Sequence, residues 1–376
     1  MSDMIFGAQR LRLQPFYVLP GDGGEVILHA NQATLRTSTR TAGDIVGLLA
    51  PLLNGEHDAS EVQRRLHQQL PVKRARALLH TLHDHGFLTL TAPAAAGSAV
   101  DTGPFEAVKL FFSDKQDDGG AALAVLQQAH VLIVNAAPMT SSLVANLLQV
   151  GVGRITVVGC DTISARDVHH SAQLLPADAG RSWQAVWQER VGGADTVRCV
   201  AAVPQSDQDW TALLQGVSMA VAVIDGPTFF YDSLHGLNRA AQLARLPWTL
   251  LGAVQHCGVT VGPTIVPPST ACFSCFETRL KSNLHNVAVS ERLEEYVRQG
   301  GPRVDFGHFA PRADIAANLA CIEVCDTLLP SRIAKTTGKM LSVELDDYSL
   351  TLHHVLKLPR CPVCGRAGQQ RVAAWA

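Results

Sequence analysis

Two short cysteine pairs constrain this chain more than any other feature. CFSC at residues 272–275 and CPVC at 361–364 each place two thiols on one tight turn. Brought together, two such turns close a tetrahedron of thiolates around zinc, with Zn–S bonds of about 2.3 Å. The polypeptide between them must leave the first turn, fold, and return to the second. Pro362 inside the second turn, with Gly365 and Arg366 after it, gives that turn the neighbours of a zinc ribbon. Cys272, Cys275, Cys361 and Cys364 are therefore expected to hold a structural Zn2+, since four thiolates leave no open position for a substrate. Nine cysteines in all, an odd number, argue against a disulfide framework. Cys321 and Cys325, one helical turn apart, read as core residues, as do Cys160, Cys199 and Cys257 in or beside strands.

Upstream of the first pair the pattern is α/β. The apolar runs VLIVN, GVGRITVVGCD, TVRCVAAV, MAVAVID and WTLLGAV alternate with helical stretches. One of these helices ends at Gln149, another surrounds Trp210, and a third is FFYDSLHGLNRAAQLARL. Continuous apolar strands separated by helices indicate a mostly parallel sheet covered on both faces.

The first ninety or so residues differ. FYVLP, EVILH and NQATLRT are short strands punctuated by GDGG and Asn31. Thr41 opens a helix bearing Ile45, Leu48, Leu49 and Leu52, which NGEHD breaks. Ser60 and Gln63 read as a capping box for a second helix with Val62 and Leu66. Pro71 starts a third, with Ala75, Leu78, Leu79 and Leu82 on one face and Gly86 closing it, and FLTLT follows as a strand. Small strands, three helices and a wing-like strand make a winged helix-turn-helix. TAPAAAGSAVDTGP is a linker, so the expected domains are residues 1–90, the linker 91–104, and 105–376.

A net charge of -2 and a pI near 6.7 offer no attraction to nucleic acid or to an anionic membrane. No apolar run approaches the roughly 20 residues that span a bilayer. MSDMIFGAQRLRLQ lacks the apolar core of a signal peptide, so the cytoplasm is expected. Lys73, Arg74 and Arg76 on the third helix are followed by His80, Asp84 and His85, a poor surface for DNA. A solvated helix face and a peptide pairing with an exposed sheet edge are the better readings. His169–His170 and His353–His354 read as surface or helix-end pairs, and Asp346–Asp347 as a solvated loop.

Several motifs stand in a familiar order. VTVGPTIVPPSTACFSCFETR precedes the second C-x-x-C, MAVAVID ends in Asp225 ahead of LNRAAQ, and GVGRITVVGCDTI comes earlier. Over about residues 105–376 they resemble the ThiF/MoeB/HesA superfamily of ubiquitin-activating-like proteins. That resemblance implies a Rossmann-like domain in which a Gly-rich turn admits ATP phosphates to a helix N-terminus. Here the turn is Asn135, Ala136, Ala137, Pro138, Met139, Thr140, Ser141, with no glycine. Pro138 removes a donor and Met139 adds bulk. Gly159 stands where the family has an acidic residue for the ribose, and Asp161 lies just beyond. Arg166 is out of phase with the family's arginine, Arg181 stands where a lysine is usual, and Asp225 matches the Mg2+-binding aspartate. Asp161, Arg181 and Asp225 are thus candidate remnants of an ATP site, and independent ATP chemistry is not expected.

A winged helix ahead of such a domain resembles the cyclodehydratase C, or Ocin-ThiF-like, proteins of azol(in)e-containing ribosomal peptide biosynthesis. CFETRLKSNLHNVAVSERLEEY resembles the same group. The resemblance implies that the N-terminal domain takes a precursor's leader peptide as an added strand, with Lys73, Leu78 and Leu82 as candidates for the groove wall. It also implies a separate YcaO-type cyclodehydratase that spends ATP on heterocycle formation, for which this chain is a non-catalytic scaffold. Relatives of the fold commonly dimerise, so a homodimer stays open. An active enzyme adenylating a peptide carboxylate is the alternative. A sulfur-carrier activator would need a transfer cysteine, and neither Cys160 nor Cys199 is convincing in that role. A DNA-binding regulator ranks last.

Overall fold

The computed structural model describes residues 10–30, 33–91, 103–113, 119–191, 196–225, 232–252, 258–301 and 310–365. Asn31, Cys257, Arg366, nearly all of the expected linker, and the segment 226–231 lie outside the described residues. The chain forms two compact units, Met1–Ala124 and Val125–Ala376, divided within a helix.

In the first unit β1 (Arg10–Leu13) lies between β5 (Asn54–Asp58) and β6 (Leu88–Thr91), both antiparallel to it. A separate antiparallel sheet joins β2 (Tyr17–Pro20), β3 (Glu25–His29) and β4 (Thr34–Ser38) in that order. These are the three short strands expected from sequence. α1 (Thr39–Asp44) runs on into a π-helical turn, and α2 (Ala59–His67), α3 (Val72–Asp84) and α4 (Glu106–Phe112) follow. Leu28, Leu35, Ile45, Leu49, Val62, Leu66, Leu79 and Phe87 meet in one core. α3 ends as its glycine requires. Gly86 takes a left-handed φ of 75°, and Phe87 N–H turns back to the Leu82 carbonyl at 2.7 Å.

Three local expectations are corrected. NGEHD does not simply break a helix. It is β5, held by β1, because a long-range partner supplies hydrogen bonds that its polar sequence does not advertise. The cap of α2 is Asp58, whose Oδ1 accepts Glu61 N–H at 2.8 Å, so Ser60 lies inside the first turn rather than before it. α1 likewise starts at Thr39, ahead of Thr41, because the Ser38 hydroxyl caps it by accepting Thr41 N–H at 3.2 Å.

α5 (Gly119–Gln128) crosses the division between the units. Beyond it come β7 (His130–Val134), α6 (Pro138–Gln149), β8 (Arg154–Val158), α7 (Ala165–His170), α8 (Trp183–Val191) and β9 (Val197–Val200). α9 (Asp207–Leu213), β10 (Met219–Ile224), α10 (Asp232–Ala244), β11 (Trp248–Gly252) and β12 (Gly258–Val261) continue the unit. It closes with α11 (Phe273–Ser282), α12 (Val287–Arg298), α13 (Ala310–Leu328), β13 (Lys339–Glu344) and β14 (Ser349–His354).

Among the described residues these strands form an eight-stranded sheet, β14-β13-β12-β11-β10-β7-β8-β9. The run β11-β10-β7-β8-β9 is parallel, while β12, β13 and β14 add antiparallel. The sheet is therefore mixed, with the expected parallel half bearing an antiparallel extension toward the C-terminus. Alternation along the strands sends Leu132, Val134, Ala220, Ala222, Trp248 and Leu250 into one core with α9, α10 and α11. α13 packs against α6 and across β11 and β12. Cys321 and Cys325 are buried in α13, as read from sequence. Among the described residues no helix is long and apolar enough to cross a membrane.

Candidate functional site

In an open α/β sheet, ligands bind outside the carboxyl ends of the strands where the strand order reverses. Here that point lies between β7 and β10, because the chain goes from β7 to β8 on one side and returns to β10 on the other. Asn135, directly after β7, adopts a left-handed φ of 75°. Its N–H donates to the Val158 carbonyl at 2.9 Å and its side-chain amide to the Val223 carbonyl at 3.0 Å. One residue thus ties β8 to β10 across the crevice. Ala137 N–H donates to Thr140 Oγ1 at 3.0 Å, and Thr140 N–H returns to the Ala137 carbonyl at 2.8 Å. Pro138 has no N–H. The N–H groups of Ala137 and Thr140 are thereby engaged within the turn, and residues 137–144 are buried. Met139, expected to crowd the turn, instead packs its side chain into the core.

Gly159 follows β8 with φ 75°, and a Cβ there would lie 3.0 Å from Val203 Cγ2. The backbone itself disfavours an acidic side chain at this position. Asp161 is exposed, and its carbonyl accepts Trp183 N–H at 3.1 Å. Arg181 is turned toward Asp178 and Glu189, at 3.2 and 2.5 Å. Asp225, at the end of β10, accepts a hydrogen bond from Arg166 Nη1 at 2.9 Å. Arg166, set aside in the sequence as out of phase, is the cation the fold brings to this aspartate. A Ser164–Asp167 capping box places it there: Ser164 Oγ accepts Asp167 N–H at 3.1 Å, and Asp167 accepts Ser164 N–H at 2.8 Å. That S-x-x-D signal was legible; its consequence for Asp225 was not.

The cysteine knuckles converge. Sγ–Sγ separations are 3.9 Å for Cys272–Cys275, 3.5 Å for Cys272–Cys361 and 3.5 Å for Cys275–Cys364, and all four sulfurs lie within 4.8 Å of one another. The edge of a tetrahedron with 2.3 Å Zn–S bonds is about 3.8 Å. The donor set and its size both fit zinc. Burial pushes the Cys275 thiol up to about 11 and Cys272 higher still. Burial acts the same way on Cys361, but the N–H groups of Cys364 and Val363 and the neighbouring thiols outweigh it and bring that group to about 7. Cys272 and Cys275 would thus need a bound cation to ionise fully. The four cysteines would hold the ion, which supplies a crosslink there and no open coordination position. Gly365 is required because a Cβ would sit 2.4 Å from the Cys361 carbonyl oxygen. Behind the first knuckle, buried Asn238 on α10 accepts Phe273 N–H at 3.0 Å and donates to Ser274 Oγ at 3.4 Å, fixing the first turn of α11.

In the first unit, β2 and β4 are the edges of their three-stranded sheet. Lys73 is exposed at the start of α3, whereas Leu78 and Leu82 belong to that unit's core.

The ThiF family profile matches residues 110–363. No curated protein sequence matches the chain. Among solved structures, E. coli MccB with ATP is similar at a TM-score of 0.65 and 16% identity, covering 94% of this chain and 99% of that one. The microcin C7 biosynthetic enzyme MccB in complex with N-formylated MccA gives a TM-score of 0.66, 16% identity, and coverage of 94% and 99%. PaaA gives 0.65 at 13% identity, covering 91% and 99%. At these identities the likeness is one of fold.

Proposed function

The chain belongs to the ThiF family, and from that membership we propose that it is a peptide-recruiting scaffold in ribosomal peptide biosynthesis. Residues 1–90, read as a winged helix, take the leader of a precursor peptide as an added strand. The ThiF-type unit presents that precursor to a separate, ATP-dependent YcaO-type cyclodehydratase, which forms azoline rings. The observation that supports this best is how the protein itself engages the polar groups at the crevice. The N–H of Ala137 is bound to Thr140, Asn135 crosses to β10, and Arg166 holds Asp225. A site whose donors and carboxylate are engaged by the protein is poorly prepared to stabilise the charge of adenylyl transfer. Among the described residues of the first unit, β4 is an edge strand, with Arg36 exposed on it and Lys73 exposed on α3. Strand addition draws its affinity from main-chain hydrogen bonds and its selectivity from a few side chains. Leu78 and Leu82 then support the groove from within rather than line it.

A second reading has its own support. MccB, similar over nearly the whole of both chains, was solved with ATP and with MccA. On that reading this chain adenylates a peptide carboxylate itself, and Arg166 releases Asp225 when Mg2+–ATP arrives. Calorimetric titration with Mg2+–ATP, beside a pyrophosphate-release assay, separates the two. Micromolar binding with pyrophosphate release overturns the scaffold. No binding by zinc-replete, folded protein supports it.

A further inference from the structure

Gly159 turns the chain back at the end of β8 with its left-handed φ of 75°. The next residue, Cys160, is thereby folded onto the neighbouring strand. Its thiol donates to the Val157 carbonyl at 3.1 Å and lies 3.8 Å from the Val200 carbonyl oxygen. Both carbonyls flank Cys199: Val157 is directly opposite it in the β8–β9 ladder, and Val200 follows it in β9. The two side chains meet there in a thiol–thiol hydrogen bond. The backbone of Cys199 is held from the other side. Its N–H donates to Gln184 Oε1 on α8 at 2.5 Å, and Gln184 Nε2 donates to the Val197 carbonyl at 2.9 Å. One glutamine thus fixes β9 where Cys199 presents its thiol.

Two free thiols in contact have a chemistry that one alone lacks. The thiolate is the nucleophile of thiol–disulfide exchange, and a second thiol beside it can resolve the mixed disulfide that the first step makes. Here the hydrogen bond with Cys199 outweighs burial and holds the Cys160 thiol below its ordinary value of 9.0. The same contact, together with burial, pushes the Cys199 thiol up, so the pair gives up one proton readily and keeps the other. Access differs between the two. Cys160 is 3% exposed, whereas Cys199 is half-buried and is the sulfur that a small reagent can reach.

We propose that Cys160 and Cys199 form a reversible redox site, oxidised to a disulfide by a low-molecular-weight disulfide such as oxidised glutathione. The Cys199 sulfur attacks one sulfur of the oxidant, whose S–S bond breaks and releases the first small thiol with the proton that Cys199 gives up. Cys160 then attacks the Cys199 sulfur, the mixed S–S bond breaks, and the second small thiol leaves with the Cys160 proton. Two electrons pass from the cysteines to the oxidant, and the turn after β8 becomes covalently joined to β9. The site lies at the β9 end of the sheet, apart from the four-cysteine cluster, and it does not depend on either reading of ATP use.

The zinc-replete full chain would be equilibrated with oxidised glutathione, alkylated, digested and mapped by mass spectrometry. Its Cys160→Ala and Cys199→Ser variants would be treated alike, with circular dichroism to confirm folding. The parent is expected to retain no glutathione and to lose two hydrogens, with the peptide bearing Cys160 joined to the one bearing Cys199. Excess reduced glutathione should restore both thiols. C160A should retain one glutathione on Cys199, because the thiol that displaces it is missing, and C199S should form neither adduct nor crosslink at Cys160. A parent that keeps a stable glutathione on Cys199 overturns the proposal, as do a Cys199 left reduced by excess oxidant and crosslinks confined to other cysteines.

Discussion

Gly159 shows how a single backbone angle constrains the chemistry available beside β8. With φ at 75° and Val203 Cγ2 only 3.0 Å from any Cβ, the position penalises every side chain. Restoring the acidic residue the family carries there should therefore fail. G159D is expected to destabilise the protein by about 1–2 kcal/mol, the cost of a left-handed L-residue, and to add no nucleotide affinity. Urea denaturation and Mg2+–ATP calorimetry read the two effects separately; an equally stable G159D would mean the turn can be rebuilt. Asp178 makes a second residue-level case. Burial opposes its ionisation, but Leu175 N–H and the Arg190 and Arg181 guanidinium groups hold its carboxyl below the ordinary value of 3.8. Its contribution to stability is therefore complete above that value and is lost as pH falls through the lower, folded-state pKa. D178N should lower stability by about 1–3 kcal/mol at pH 7 and flatten the pH dependence of unfolding below pH 4, which acid titrations of parent and variant would test. Asp178 finds Leu175 and Arg181 three positions away on either side, whereas the contact that crowds Gly159 comes from Val203, far along the chain. Arg166 and Asp225 are 59 positions apart, and only the fold makes them partners.

At the scale of elements, what was legible depended on whether the cause is local. Gly86 ends α3 through its own left-handed backbone, so that boundary was readable. β5 exists because β1 pairs with it, and nothing in Asn-Gly-Glu-His-Asp announces a strand. The antiparallel extension of the sheet was hidden for the same reason: β13 and β14 are a hairpin whose place beside β12 is settled by tertiary pairing. Asn238 joins two elements in a way that can be tested. Its amide serves Phe273 N–H and Ser274 Oγ at the first turn of α11, the turn that also presents Cys275. N238A leaves that N–H unpaired next to the cysteine cluster. Loss of such supporting contacts typically weakens metal affinity by about 10–100-fold. Competition of N238A and the parent against a graded series of zinc chelators should show a drop in that range. An unchanged affinity would assign Asn238 to helix packing alone.

Across the second unit, the cysteine cluster joins parts of the chain that the sheet alone leaves loosely tied. The first knuckle begins α11, while the second follows β14 at the far edge of the sheet. Besides the sulfurs, contacts between them include Leu358 N–H to Cys275 Sγ at 3.3 Å, Arg279 Nε to the Leu356 carbonyl at 2.6 Å, Lys357 Nζ to the Pro268 carbonyl, and a small apolar cluster. The C-x-x-C spacing made the convergence of the four cysteines readable from sequence, because that spacing is the one metal geometry dictates. The segments that meet at the cluster could be seen only in the fold. If zinc is the clamp, its removal must weaken the whole unit. Each tenfold excess of free zinc over its dissociation constant adds about 1.4 kcal/mol to the folded state. Stripping the metal with a strong chelator should therefore lower the melting temperature, and added zinc should restore it. C361S should melt like the stripped parent and should respond to neither chelator nor zinc. A parent protein whose melting is indifferent to chelation would show that the apolar cluster holds the knuckles without metal, and the zinc assignment would fall with it.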